Sequence, residues 1–147
     1  MNTWKTTMKE SKFFIDTNIF LRAFVHDVPK QAIESLKFLD KVSSGKYEAF
    51  TSTLVLSEFA WTLRSYYHLN KEKVVIALQS LQGVHNLKVV DHQNMELGVD
   101  LYANHSVKYT DALIASAPEI QSGEWAVVSY DKDFDRLGCK RYEPNAF

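Results

Sequence analysis

Four short apolar runs, separated along the chain by segments with helical spacing, place the strongest constraint on the fold. The runs are KFFID (12–16), EAFTS (48–52), LKVVD (87–91) and WAVVSYD (125–131). Their residues do not alternate strictly between apolar and polar, which is typical of strands covered on both faces in a parallel sheet. Because strands separated by helices form βαβ units, the sequence predicts one α/β domain, with a central, mostly parallel sheet flanked by helices.

The segments between these runs carry signals of helix ends and of buried helix faces. Pro29 suits the first turn of one helix and Gly45 its end. Thr17 and Asn70 are candidate caps of two other helices. The spacing predicts two buried faces: Ile33, Leu36, Leu39 and Val42 in residues 29–45, and Leu56, Phe59, Leu63 and Tyr66 in residues 53–70.

The composition is that of an ordinary globular domain. The chain has 147 residues, of which 46% are apolar and 24% are charged, which is enough to build one core. Residues 1–11 are polar and form a predicted lead-in to a domain that spans residues 12–147. The net charge of −1 gives no general attraction to nucleic acid, so such contacts would need a local basic patch.

The sequence has no pattern typical of membrane insertion or secretion. Its apolar runs are shorter than the roughly 18 residues that a membrane span needs, and its polar N-terminus lacks an apolar signal core. The single cysteine, Cys139, allows no internal disulfide. We therefore expect a cytoplasmic protein without a membrane partner.

Acidic residues follow the apolar runs and interrupt the helical segments. Asp16, Asp91 and Asp131 end three of the runs, and ligands of open α/β sheets bind beyond the carboxyl ends of the strands. Glu58 lies in LVLSEFAWTL and Asp111 in YTDALIASA. Each acid has an ordinary explanation when taken alone, since Glu58 can face solvent and Asp111 suits the first turn of a helix.

Taken together, these acids indicate a metal site. Carboxylates that crowd at one sheet edge repel each other, and a divalent cation relieves the repulsion. The chain offers oxygen ligands and has no cysteine or histidine cluster with zinc spacing, which favours Mg²⁺ or Mn²⁺. Such an ion suits the hydrolysis of phosphate esters.

Three other kinds of phosphate site have less support. A haloacid-dehalogenase-type phosphatase needs a second aspartate two residues after Asp16, where this chain has Asn18. A response-regulator receiver needs paired acids on an early strand, and FFID supplies only one. The sequence also has no glycine-rich phosphate-binding motif.

Four motifs, taken in order and spacing, resemble those of PIN-domain ribonucleases, in particular the VapC-type toxins of toxin–antitoxin pairs. They are FIDTNIF, the lone Glu58 in LSEFAW, YTDALIASA and VVSYDKDFDRLG, and the resemblance extends from residue 12 to about residue 142. The resemblance implies that the catalytic and metal-binding acids are Asp16, Glu58, Asp111 and Asp131, with Asp133 as a further possible ligand. It also implies that Asn18 and Ser129 hydrogen-bond these carboxylates from behind the metal.

The function implied by the resemblance is that of an endoribonuclease that depends on Mg²⁺ or Mn²⁺ and leaves a 5′-phosphate and a 3′-hydroxyl. The same resemblance implies a homodimer and a small cognate antitoxin. Two alternatives stay open: a housekeeping RNA-processing nuclease without an antitoxin, and an inactive domain of the same fold that binds RNA or protein. Arg22, Lys108 and Lys132 are candidate phosphate-binding residues, although such charges are also ordinary on a surface.

Overall fold

Five parallel strands form the sheet in the computed structural model, which describes residues 10–147. The strands are β1 (Lys12–Ile15), β2 (Glu48–Thr51), β3 (Leu87–Val89), β4 (Ala126–Val128) and β5 (Arg141–Tyr142). Their order is β3-β2-β1-β4-β5, and each neighbouring pair is parallel. The predicted α/β fold is therefore confirmed, and the first strand along the chain lies in the middle of the sheet.

Eight α-helices and a short 3₁₀ turn connect and follow the strands within the described residues. They are α1 (Thr17–Val25), α2 (Pro29–Ser43), α3 (Thr53–Ser65), α4 (Lys71–Gln82), α5 (Met95–Asn104), α6 (Tyr109–Ala115), α7 (Pro118–Gln121), α8 (Asp133–Arg136) and the 3₁₀ turn Pro144–Ala146. Asn70 caps α4 as predicted, because its side chain accepts a hydrogen bond from the backbone N–H of Lys73. None of the helices among residues 10–147 is long and apolar enough to cross a membrane.

The predicted division between the polar lead-in and the domain falls after residue 11. The first strand among the described residues begins at Lys12. Most of the predicted polar lead-in, residues 1–9, lies outside the described residues. The division at residue 11 therefore stays a prediction.

The predicted buried face of α2 is confirmed at Leu39 and Val42 and is wrong at Ile33 and Leu36. Ile33 is 55% exposed and Leu36 is 41% exposed, whereas Phe38 is buried along with Leu39. The residues of α2 that are buried are Ala32, Ser35, Phe38, Leu39 and Val42. Small residues at the inner face let the helix lie close to its neighbour, and the large Phe38 ring fills the core, so the helix is rotated from the predicted orientation.

The predicted buried face of α3 is confirmed at Phe59 and Leu63, whereas Val55 replaces Leu56 as the third fully buried residue. Val55, Phe59 and Leu63 are buried, four residues apart, while Tyr66 lies just beyond the helix and is 70% exposed. Because the segment is apolar almost all round, its spacing alone did not distinguish these faces. Glu58 directly precedes the buried Phe59 and is itself only partly exposed.

An aromatic cluster at the amino end of the sheet fixes the last residues described. The Phe147 ring lies 4.8 Å from that of Phe13, 4.5 Å from Phe38 and 5.0 Å from Tyr47, measured between centroids. Edge-on and tilted pairs of this kind add to the stabilisation that comes from burying the rings. The cluster thus ties the 3₁₀ turn to β1 and α2.

We expect Phe147→Ala to lower the free energy of unfolding by about 2 kcal/mol, since the ring is only partly buried. Urea denaturation measures the change. The matched control is Tyr66→Ala, which removes an aromatic ring that is 70% exposed and should change stability by less than about 0.5 kcal/mol. Equal losses in the two variants would show that the aromatic cluster does not stabilise the fold.

Candidate metal centre

Asp16 lies at the point where the central strand ends and α1 begins. Its backbone is extended, and its Oδ1 accepts a hydrogen bond of 2.8 Å from the backbone N–H of Thr17. Asp16 therefore caps α1, and the prediction that Thr17 does so is wrong. The Thr17 hydroxyl instead donates to Oε1 of Glu58 on α3. One acid thus fixes the start of α1 while the next residue holds a second acid.

Ser129 and Asn18 hold the other oxygen of Asp16. The Ser129 hydroxyl donates to Oδ2 of Asp16 at 2.6 Å, and the Asn18 amide donates to the same oxygen at 3.2 Å. Asn18 also donates to the Ser129 hydroxyl at 3.0 Å and accepts from the backbone N–H of Tyr130 at 3.2 Å. These bonds join the end of β1 to the end of β4 and fix the rotamer of the carboxylate.

Burial makes Asp16 a poor place for an isolated negative charge. The residue is 3% exposed. Burial raises the pKa of its carboxyl to about 6; the hydrogen bonds from Ser129 and Thr17 oppose the rise, and the negative charge of Glu58 adds to it. A positive ion beside Asp16 would favour its charged form.

Asp111 is the most perturbed acid of the site. It lies in the first turn of α6, is 2% exposed, and its Oδ2 is buried without a hydrogen-bond partner among the described residues. Burial, followed by the negative charge of Asp16, raises the pKa of Asp111 to about 9. Buried carboxylate oxygens normally accept a hydrogen bond, whereas the nearest cation to this oxygen, the Lys108 ammonium, is 3.8 Å away.

Asp131 and Asp133 bring two further carboxylates to Asp111 from the loop after β4. Ligand oxygens of these three residues lie within 4.8 Å of one another. The backbone N–H of Asp133 donates to Oδ1 of Asp131 at 2.9 Å, and Arg136 pairs with Asp133 at 2.6 Å. Burial would raise the pKa of Asp131, but hydrogen bonds from Asp111, Asp133 and Lys108 hold it below its usual value.

Lys108 supplies the positive charge that now lies in this group. Its Nζ is 2.9 Å from Oδ2 of Asp131 and 3.8 Å from Oδ2 of Asp111. Burial would lower the pKa of the Lys108 ammonium, but Asp131 and Asp111 raise it well above its usual value. The spacing of three residues between Lys108 and Asp111 is a sequence signal for this contact, since such pairs lie on one helix face.

Asp16, Glu58 and Asp111 open onto a cleft of about 170 Å³ at the carboxyl edge of the sheet, and Asp111 also belongs to the group with Asp131 and Asp133. The walls of the cleft are formed by Asp16, Thr17, Asn18, Leu21, Glu58, Thr62, Lys108 and Asp111. Glu58 therefore faces the cleft and not bulk solvent. The arrangement gathers oxygen donors around a buried, unpartnered carboxylate, and this donor set fits a hard divalent cation such as Mg²⁺ or Mn²⁺.

Three residues singled out in the sequence lie outside this group. Asp91 accepts hydrogen bonds from the backbone N–H and the hydroxyl of Thr53, at 2.9 and 2.8 Å, and so holds the start of α3. The Arg22 guanidinium pairs with Asp27 at 2.9 Å and donates to Gln31 at 2.9 Å. Lys132 is exposed and directly precedes α8.

A family model whose description is PIN domain matches residues 13–139 of the chain. The chain belongs to the PIN-domain family. PIN domains are nucleases, a class of hydrolases. The matched residues include every acid of the cleft, so the candidate metal centre is part of the PIN domain itself.

The fold of this PIN domain is also similar to a solved structure, described as the crystal structure of VapBC2 from Rickettsia felis bound to a DNA fragment from their promoter. The TM-score is 0.65 at 19% identity, and the similarity covers 90% of this chain and 98% of that chain. At this identity the similarity establishes the fold. None of the curated proteins compared with the chain matches it in sequence. The resemblance drawn from the four motifs is thus confirmed for the PIN-domain family.

Proposed function

We propose that this PIN domain is a metal-dependent endoribonuclease and the VapC-type toxin of a type II toxin–antitoxin pair. The observation that carries the proposal is the buried Asp111, whose Oδ2 has no hydrogen-bond partner among residues 10–147 and lies beside two other carboxylates. A buried cluster of this kind disfavours its own negative charge unless a cation is bound. The family supplies the reaction class, since PIN domains are nucleases.

The residues that would hold Mg²⁺ or Mn²⁺ are Asp16, Asp111 and Asp131, with Glu58 closing the cleft and Asp133 within reach. When bound, a divalent cation activates water and neutralises charge on a phosphodiester. The hydrogen bonds from Ser129 and Asn18 keep Asp16 in one rotamer, so its carboxylate stays fixed in the wall of the cleft.

The proposal extends to the substrate and partners. RNA phosphates approach an acidic cleft only where basic residues offset its charge, and Lys108 lies in the cleft wall. Lys132 is exposed beside Asp131 and serves the same purpose in this proposal. The likeness to a VapBC structure supports a small antitoxin as partner. The proposal also includes the homodimer and the cytoplasmic location expected from the sequence motifs.

Cleavage of total cellular RNA by the purified protein tests the proposal. We expect discrete cuts with Mg²⁺ or Mn²⁺, none with EDTA, and none with Asp16→Asn under any condition. The matched control is Asp91→Asn, which changes an acid outside the cleft that accepts hydrogen bonds from Thr53 at the start of α3. Equal cleavage by wild type and Asp16→Asn would overturn the assignment of Asp16, and no cleavage by antitoxin-free wild type would favour a binding domain.

A small antitoxin gene next to the gene of this protein would separate a toxin from a housekeeping nuclease.

Ser129→Ala is expected to slow cleavage roughly tenfold and to move the acid limb of the pH–rate profile to higher pH. The hydroxyl of Ser129 lowers the pKa of Asp16, so its loss leaves the carboxyl protonated over a wider range of pH. The profile is measured at subsaturating Mn²⁺, where cleavage follows the occupancy of the metal site. Ser129→Thr keeps the hydroxyl and should keep the position of the limb; a limb that moves equally in both variants would rule out this role.

A further inference from the structure

The Lys108 ammonium lies among the same carboxylates that we propose as metal ligands. It bonds Oδ2 of Asp131 at 2.9 Å and is 3.8 Å from Oδ2 of Asp111, which accepts no hydrogen bond from the part of the chain that the structure describes. The side chain is nevertheless 65% exposed. Its stem therefore runs along the surface of the cleft, and only its charged end reaches the acids.

A divalent cation and this ammonium compete for the same oxygens. Mg²⁺ binds carboxylate oxygens at about 2.1 Å. An ion bound to Oδ2 of Asp131 would therefore lie close to the ammonium that now contacts that oxygen. Positive charges at such separations repel strongly in a partly buried site, so both do not occupy the position together.

The backbone around Lys108 is fixed, while its side chain is free to move outward. The residue directly precedes α6, and its N–H donates to Oδ2 of Asp133 at 3.4 Å. The exposed stem has open space beside it in the cleft. In this inference a change of side-chain rotamer, without movement of α6, takes the ammonium from the acids to the mouth of the cleft.

We propose that Lys108 is a positioning residue that alternates with the divalent cation. Its ammonium holds Asp111 and Asp131 in the metal-free enzyme, and it turns to the mouth of the cleft, toward an RNA phosphate, when the cation binds. The inference rests on the proposed function, because it takes these acids as the metal ligands.

Titration of the metal-free protein with Mn²⁺ by calorimetry tests this inference without any RNA. Lys108→Met keeps the aliphatic stem and removes the charge, and we expect it to bind Mn²⁺ at least about tenfold more tightly than wild type. Lys132→Met removes an exposed positive charge next to Asp131 and should change the affinity by less than about threefold. Lys108→Gln is the second variant, because its amide can still donate to Asp131 if Lys108→Met does not fold without metal.

The outcomes separate the inference from the proposed function. Equal or weaker Mn²⁺ binding by both Lys108 variants, with binding by wild type, overturns the alternation and leaves the metal site in place. An equal gain in Lys132→Met also overturns it, since the effect would then be general electrostatics. Absence of Mn²⁺ binding by every protein overturns both. Tighter binding by the Lys108 variants supports the alternation even if no protein cleaves RNA, and at saturating Mn²⁺ we expect slower cleavage by Lys108→Met.

Discussion

Asp111→Asn is expected to abolish RNA cleavage and, at the same time, to make the metal-free protein more stable near pH 8. The substitution removes a proposed metal ligand, for which we expect a loss of at least about a hundredfold in the cleavage rate. It also removes a carboxylate whose charged form is destabilised by burial. Asparagine has nearly the same size and shape, so the packing around the side chain is kept. A gain of about 1–3 kcal/mol in the free energy of unfolding follows from relief of that cost.

Urea denaturation in EDTA and an RNA cleavage assay in Mn²⁺ measure the two effects on the same preparation. The matched control is Asp100→Asn on α5, an exposed aspartate that should leave both stability and cleavage near wild type. A variant with lower stability than wild type in EDTA would mean that the Asp111 carboxylate stabilises the fold without metal. Retained cleavage would exclude Asp111 as a ligand.

The stability of the metal-free wild type is expected to fall as pH rises from about 5 to about 9. The pKa of Asp111 is about 9 and that of Asp16 about 6 in the folded protein, both above the unfolded value of about 4. A group with a raised folded pKa contributes stability that is fully present below its unfolded pKa and is lost as pH rises through its folded pKa. For each proton that the folded state binds in excess of the unfolded state, the free energy of unfolding falls by about 1.4 kcal/mol per pH unit.

Saturating Mn²⁺ should remove most of this slope, because a bound cation favours the charged carboxylates that burial disfavours. The measurement is a series of urea unfolding curves across the pH range, in EDTA and in Mn²⁺. Acids with lowered pKa values, such as Asp131, have the opposite effect, because they make the stability rise with pH. That rise is located below about pH 4, outside this window. A stability that is constant or rising between pH 5 and 9 in EDTA would contradict the description of Asp111.

The sheet and its acidic edge were largely predictable from sequence, for a physical reason. Strands of a parallel sheet are covered on both faces, so they stand out as apolar runs, and the acids that follow them must lie at one edge. Asp16 and Asp131 were placed in this way. Asp91 also follows a strand, but it lies outside the metal site. Its carboxylate instead accepts hydrogen bonds from Thr53 at the start of α3.

Details that depend on helix rotation were not predictable in the same way. The apolar surface of α2 and α3 is wide, so tertiary packing, and not spacing, decides that Phe38 is buried and Ile33 exposed. The cap of α1 is Asp16 and not the predicted Thr17, because the extended backbone at Asp16 lets its carboxylate accept from the Thr17 N–H. The position of Lys108 depends on a side chain that reaches across the cleft to Asp131, which sequence separation does not reveal.

The chemical ends of one cleaved RNA test the central claim most directly. A water attack that depends on a divalent cation at these acids predicts a 5′-phosphate and a 3′-hydroxyl, formed by wild type in Mn²⁺ and absent with Asp16→Asn. Fragments with a 5′-hydroxyl and a 2′,3′-cyclic phosphate would show attack by the RNA's own 2′-hydroxyl. That result, or identical ends from Asp16→Asn, would contradict a metal-dependent nuclease built on Asp16, Asp111 and Asp131.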